Sequence, residues 1–211
     1  DGTLEYYFAP ASIASASVFS RFVDNVIYTD VQNVDGAIYG GQAGETWELS
    51  GPVNGSDGKI TGIELNLIAM AEDFVPALMG WGISVNATFV ESEFQTIQGD
   101  TLDLPGTSDL IYNASLFYED YGLSARLNYQ YRDEWISPIE DPSEYWGEQS
   151  RLDFNVQYIL PEDLTGPVSA TLYFNANNLT DETDLRYAGN NTVNQSESYG
   201  RRFLVGLRLS Y

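Results

Sequence analysis

The stretch Tyr199-Gly-Arg-Arg-Phe-Leu-Val-Gly-Leu-Arg-Leu-Ser-Tyr211 decides how the rest of the chain is read. Its residues alternate in character. Phe203, Val205, Leu207, Leu209 and Tyr211 fall on one face, and Arg202, Leu204, Gly206, Arg208 and Ser210 on the other. A period of two is the signature of a β-strand. In a soluble sandwich the apolar face would meet a core and the arginines water. In an outer-membrane barrel the apolar face would meet lipid and the arginines a polar lumen. The strand fits both, so the remaining segments have to separate them.

Working back from this strand, the same alternation recurs. It marks Ile13–Ile27, Lys59–Ala71, Trp81–Phe94, Ile111–Glu119, Leu123–Arg132, Arg151–Leu160 and Ser169–Asn177, with Leu4–Phe8 as a strand end. That makes about nine long strands. Leu123–Arg132 is the cleanest: Leu123, Ala125, Leu127, Tyr129 and Tyr131 alternate with Ser124, Arg126, Asn128, Gln130 and Arg132. The connections alternate as well. Those at 9–12, 72–80, 120–122 and 161–167 are short, and those at 28–58, 95–109, 133–148 and 178–198 are long. Within 28–58 no long periodic segment is seen, and Thr46–Leu49 is expected as a short extra strand. Antiparallel strands then gather every long loop at one end of the sheet. A sandwich has no need of this, whereas a transmembrane barrel has short periplasmic turns and long outer loops. The polar positions are Arg, Asn, Gln, Ser and Thr, which suit a wet lumen, and tyrosines near strand ends such as Tyr131 and Tyr211 suit an aromatic girdle. The expected fold is all-β, an antiparallel transmembrane barrel. Bacterial single-chain barrels have even strand numbers, so about nine strands are expected to be part of a larger barrel.

Composition excludes several function classes. Nine Lys and Arg stand against 31 Asp and Glu, a net charge of −22 over 211 residues, which argues against a nucleic-acid backbone as partner. With no cysteine there is no disulfide, thiol nucleophile or Cys-based zinc site. With no histidine the usual general base and the commonest transition-metal ligand are missing. No run of 18 apolar residues occurs, so no transmembrane helix is expected.

Several segments together resemble TonB-dependent outer-membrane receptors. They are Asn177-Asn178-Leu179-Thr180-Asp181-Glu182, then Tyr187, then Tyr199-Gly200-Arg201-Arg202-Phe203 and a final aromatic residue. Gly62-Ile63-Glu64-Leu65 looks like a recurrent strand of the family. Leu104-Pro105-Gly106-Thr107-Ser108, Asn113, Tyr118-Glu119, Ala125-Arg126 and Tyr131-Arg132-Asp133 look like the strands that follow. The likeness covers nearly the whole chain and is nearest to proteobacterial receptors for glycans and iron chelates. It implies a 22-stranded barrel filled by an N-terminal plug, with uptake driven by TonB–ExbB–ExbD. Residues 1–211 are then expected to be the C-terminal portion of the barrel, with the plug, TonB box and earlier strands lying outside them.

The loop 133–148 is the best ligand candidate, through Trp135, Glu140, Asp141, Tyr145 and Trp146. Aromatic faces stack on sugar C–H surfaces and carboxylates accept hydroxyl hydrogen bonds. The competing reading is a solvated acidic loop with girdle tryptophans. Trp47, beside Glu45 and Glu48, is equally ambiguous, and Arg186 and Tyr187 join the candidates. Arg126, Arg132, Arg151 and Arg208 are expected to face the lumen, where they would contact an anionic ligand or pair with lumen or plug carboxylates. Asn177–Asp181 reads as a strand-end cap. An EF-hand template fails, because taking Gly36 as its glycine puts Val31 at the first ligand position. Glu91 and Glu93 share a strand face, whereas a glycosidase needs carboxylates converging across a cleft. No enzyme, cofactor or metal site is expected. Three functions stay open: an energy-coupled import receptor for a scarce oligosaccharide or siderophore, a passive or structural barrel, and a surface glycan-binding protein.

Overall fold

The computed structural model describes residues 1–137 and 142–210. Alternating residues build its wall. In chain order the strands are β1 (Gly2–Ala9), β2 (Ser12–Val23), β3 (Ile27–Asp35), β4 (Thr46–Asn54), β5 (Gly58–Met70), β6 (Trp81–Gln95), β7 (Thr101–Leu102) and β8 (Leu110–Asp120). There follow β9 (Leu123–Arg132), β10 (Trp135–Ile136), β11 (Tyr145–Trp146), β12 (Gln149–Ile159), β13 (Ser169–Asn177), β14 (Thr183–Tyr187), β15 (Val193–Ser198) and β16 (Arg202–Ser210). The wall runs β1-β2-β5-β6-β8-β9-β12-β13-β16, all antiparallel neighbours, as an open sheet. These nine are the strands expected from period two.

Register places like with like. Leu116 pairs Leu127, Leu127 pairs Phe154, Tyr158 pairs Leu172, and Leu172 pairs Leu207. This apolar face is not covered. Leu116, Leu172 and Leu207 are each about half-exposed. Aromatic residues bound it at both ends. Trp81 lies against Tyr118 at the short-turn end, with ring centroids 5.3 Å apart, and Tyr112 stacks on Tyr131 at the other end at 5.0 Å. The opposite face is polar and bonded across strands. Ser115 donates to Asn128, Asn128 to Asn155, and Asn155 to Asn175. Such a ladder uses polar side chains where a soluble core would have leucine.

Three aromatic rings on the polar face lie flat over a glycine of the next strand. Phe19 covers Gly62, Phe117 covers Gly82 and Tyr173 covers Gly206; a Cβ at any of the three would sit within 2.4 Å of a ring carbon. Glycine's missing side chain is what lets the ring cross the strand.

The long connections are more structured than expected. Residues 27–54 hold a hairpin of two nine-residue strands, β3 and β4, in place of one short strand at 46–49. Gly51 and Pro52 read as strand breakers, but a two-stranded ribbon has open edges on which Pro needs no donor. Residues 183–198 likewise form the β14–β15 hairpin, whose mixed polar composition carries no hydrophobic period. The buried apolar cluster lies here and not in the wall. Val26, Tyr28, Phe94 and Leu104 pack together, fixing the first hairpin to the end of β6 and to the loop after it.

Candidate functional site

Two connections far apart in sequence meet at the long-loop end. β10 and β11 come from 133–148, β14 and β15 from 178–201, and they form one sheet in the order β10-β11-β14-β15. Pairing Trp135 with Trp146, Tyr145 with Tyr187 and Trp146 with Arg186 gathers five of the expected ligand residues. The two tryptophans stack at 6.2 Å, and the two tyrosines at 5.3 Å. Arg186 lies 5.9 Å from the centre of the Trp146 ring, with its Nε 3.5 Å from Glu144 Oε2. Gly147 makes the close approach possible, since a Cβ there would be 2.8 Å from the Tyr187 ring. Glu140 and Asp141 lie outside the described residues.

Trp47 is not part of this group. Its indole covers Gly36 and Gly41 at the tip of the β3–β4 hairpin, where a Cβ on either glycine would strike the ring.

A recess of about 240 Å³ opens beside the aromatic sheet. Trp135 and Tyr145 line it, together with four carboxylates, Asp103, Asp109, Asp133 and Glu134. Burial raises the Asp103 carboxyl above the ordinary carboxylate value, and Asp109 raises it further. Burial also raises the Tyr145 hydroxyl, followed by the charge of Glu134 and by Tyr187. Pro142 is shared with a second recess of about 500 Å³, lined by Tyr28, Asp30, Gln98 and Asp100 among others. There Gln98 bridges Asp30 and Tyr28: its amide donates to Asp30 and its carbonyl accepts from the Tyr28 hydroxyl. Rings that stack on C–H faces beside carboxylates that accept hydroxyl or ammonium protons can hold a polar, hydroxylated molecule. Among the described residues no cluster of three or more acidic side chains is placed to hold a metal ion.

The comparisons with known proteins agree with this geometry. Residues 1–179 match the family described as TonB dependent receptor-like, beta-barrel. This chain belongs to that family. Its structure superposes on the siderophore receptor PiuA from Acinetobacter baumannii with a TM-score of 0.58 and 18% sequence identity. The superposition covers 96% of this chain and 27% of that one, so the chain spans about a quarter of the receptor it matches. Comparison with the curated proteins finds no match.

In a TonB-dependent receptor barrel the half-exposed apolar face is the lipid face, and the polar ladder faces the lumen. All four expected arginines share the face of the polar ladder by register: Arg126 pairs Asn155, Arg132 pairs Gln149, Arg151 pairs Gln130 and Arg208 pairs Thr171. Their partners differ. Arg126 lies over the Phe117 ring at 4.7 Å and 3.6 Å from Glu119. Arg151 reaches up to the rim and holds Asp184 of β14, with Nη2 2.5 and 2.6 Å from the two carboxylate oxygens. Arg208 is exposed and shares a recess of about 380 Å³ with Arg126. Arg132 holds the rim through a hydroxyl, a carbonyl and an indole.

Several rim residues escape a sequence reading. Asp103 and Asp109 stand six apart, and only the Pro105-Gly106 turn, with Gly106 at φ +81°, brings them to one recess. Tyr28, Asp30 and Gln98 meet across 70 residues. The strand-end cap at Asn177–Asp181 does have a local signal. Asn178, at φ +56° and nearly buried, accepts from Glu182 N and Thr180 Oγ1 and donates to the carbonyls of Glu182 and Gly200.

Proposed function

We propose that this chain forms the C-terminal part of the barrel of a Gram-negative outer-membrane import receptor, whose rim captures a scarce nutrient. The observation that carries the reading is the inverted wall, apolar outward and polar inward, crowned by an ordered aromatic and acidic rim. Family membership supports a receptor and not an enzyme. Import is driven by TonB–ExbB–ExbD acting on a plug held in the completed barrel, as in the family this chain belongs to. The cargo is an iron chelate, in line with the siderophore receptor that the fold resembles. The acidic, ring-lined recess favours a second cargo, a neutral oligosaccharide, whose hydroxyls suit Asp103, Asp109 and Glu134 better than an anionic chelate does.

The test is uptake by cells that carry the whole receptor or lack its gene. Labelled ferric chelates and labelled oligosaccharides are offered with and without a protonophore. Uptake that needs both the gene and the proton-motive force is the expected result. Gene-dependent uptake that survives the protonophore would make the barrel a passive pore, and no gene-dependent uptake of any cargo would leave it structural.

A further inference from the structure

Arg132 is the last residue of β9, on the lumenal face, where its strand neighbours are Ile111 and Gln149. Its side chain leaves the wall. Nε donates to Ser108 Oγ at 2.8 Å, Nη2 donates to the Gly106 carbonyl at 2.6 Å, and the guanidinium lies 3.7 Å from the centre of the Trp135 ring. One planar cation therefore ties the end of a wall strand to the loop before β8 and to the loop after β9. Ser108 is 1% exposed, so the Nε bond ends on a hydroxyl shielded from water, where a charged donor counts for more. The loops answer the tie, because Gly106 N donates to the Ile136 carbonyl at 2.9 Å. From Trp135 the connection continues through its stack on Trp146 to the pairing of β11 with β14.

We propose that Arg132 is the positioning residue that couples three connections, residues 96–109, residues 133–137 with 142–148, and residues 178–201, into one body. A ligand that orders one of them then orders all three. The guanidinium supplies what a lysine lacks: a flat face for the indole and two donors in a fixed fork. Among the described residues Arg132 makes no ion pair. Its role is geometric, resting on the two donated hydrogen bonds and the indole contact. The proposal uses the receptor reading only in taking the rim as the ligand surface, and its test needs no ligand.

The experiment is hydrogen exchange by mass spectrometry on the full-length receptor in detergent, comparing the wild type with Arg132→Ala, Arg132→Lys and Ser108→Ala. Arg126→Ala, a lumenal arginine that does not touch the rim, is the control. In Arg132→Ala and Arg132→Lys, exchange over 104–108 is expected to rise about tenfold, the size of one lost charge-assisted bond. The rise should spread to 183–198, which Arg132 does not touch, while the wall segment 149–159 stays protected. Ser108→Ala should act in the same direction and more weakly, and it keeps the test usable if Arg132→Ala does not fold. Exchange that rises only over 104–108 would overturn the coupling, as would full rescue by lysine or an equal effect from Arg126→Ala. A receptor that transports normally with uncoupled loops would sink this inference and leave the import reading standing. Coupled loops on a barrel that imports nothing would do the reverse.

Discussion

On the wall, Leu116 and Leu172 stay half-exposed while Asn128 and Asn155 are bonded on the other side. In the rim, Tyr28, Phe94 and Leu104 are buried and the carboxylates line open recesses. The rim follows the rule for proteins in water and the wall the rule for proteins in lipid. The change occurs within single strands. On β6, Phe89 lies on the lipid-facing side, and two and four residues further along the same side come Glu91 and Glu93. The solvent outside the strand therefore changes from hydrocarbon to water over about two residues, roughly 7 Å.

The largest effect should come from placing a charge on the wrong side of the wall. Leu127→Arg puts a guanidinium into the hydrocarbon layer between Leu116 and Phe154, and should cost about 2–4 kcal/mol. Gln130→Glu, three residues along on the lumenal side and directly across from Arg151, should be close to neutral. Reversible unfolding of the whole receptor in lipid or detergent measures both. Equal costs at the two positions would remove the distinction between the faces.

A smaller effect is expected inside the wall at the glycines. The three atoms nearest to a Cβ at Gly206 would all belong to the Tyr173 side chain, with a ring carbon and the hydroxyl oxygen both at 2.3 Å. Gly206→Ala should therefore destabilise by about 1–3 kcal/mol. Tyr173→Ala in the same chain should recover most of that loss, because the three nearest atoms in the clash all belong to that side chain. A double-mutant cycle reads the coupling directly. At Gly62 the relief should be partial, since the Phe89 carbonyl stands 2.6 Å from the same Cβ position.

The rim counterpart is Asn178. It closes the turn between β13 and β14 with both ends of its amide, in a left-handed conformation that Asn tolerates. Asn178→Ala should cost about 1–3 kcal/mol locally, seen as protease sensitivity in 178–201 with the wall intact. Asn178→Gly keeps the backbone freedom and should lose less.

These sites also show how far a sequence reading goes. The wall was legible because lipid and lumen impose one period on every strand. Leu123–Arg132 and Ser169–Asn177 begin and end where alternation begins and ends. The aromatic residues of the rim stand out by type. That Trp135, Tyr145, Trp146, Arg186 and Tyr187 would share one sheet was not legible, because it depends on pairing between connections some 40 residues apart. The β3–β4 hairpin was missed for a related reason. Its stability comes from Tyr28 and Val26 packing on Phe94 and Leu104, a long-range contact that leaves no period in 27–54. Trp47, alike in type to the rim tryptophans, covers Gly36 and Gly41 of its own hairpin, so residue type alone does not bring aromatic residues together.

The smallest expected effect is electrostatic and belongs to the rim. Asp103 has its carboxyl raised by burial and then by Asp109, so the folded rim holds its proton more tightly than the unfolded chain does. A group of this kind gives stability that is fully present below the unfolded value and lost as pH rises through the raised folded value. Asp103 is still largely solvated, which keeps the effect small. Rim protection should therefore fall slightly as pH rises from about 4 to about 6, the range just above the ordinary carboxylate value. Asp103→Asn should flatten that slope and leave the rim slightly more protected at neutral pH. The neighbouring charges, Asp109, Asp133 and Glu134, remain in both proteins, so the difference between the two pH profiles isolates one carboxyl. Hydrogen exchange over 104–108 across this range is the measurement. A slope that survives Asp103→Asn would assign the acid response to another carboxylate of the recess, and protection that rises with pH would reverse the sign argued here.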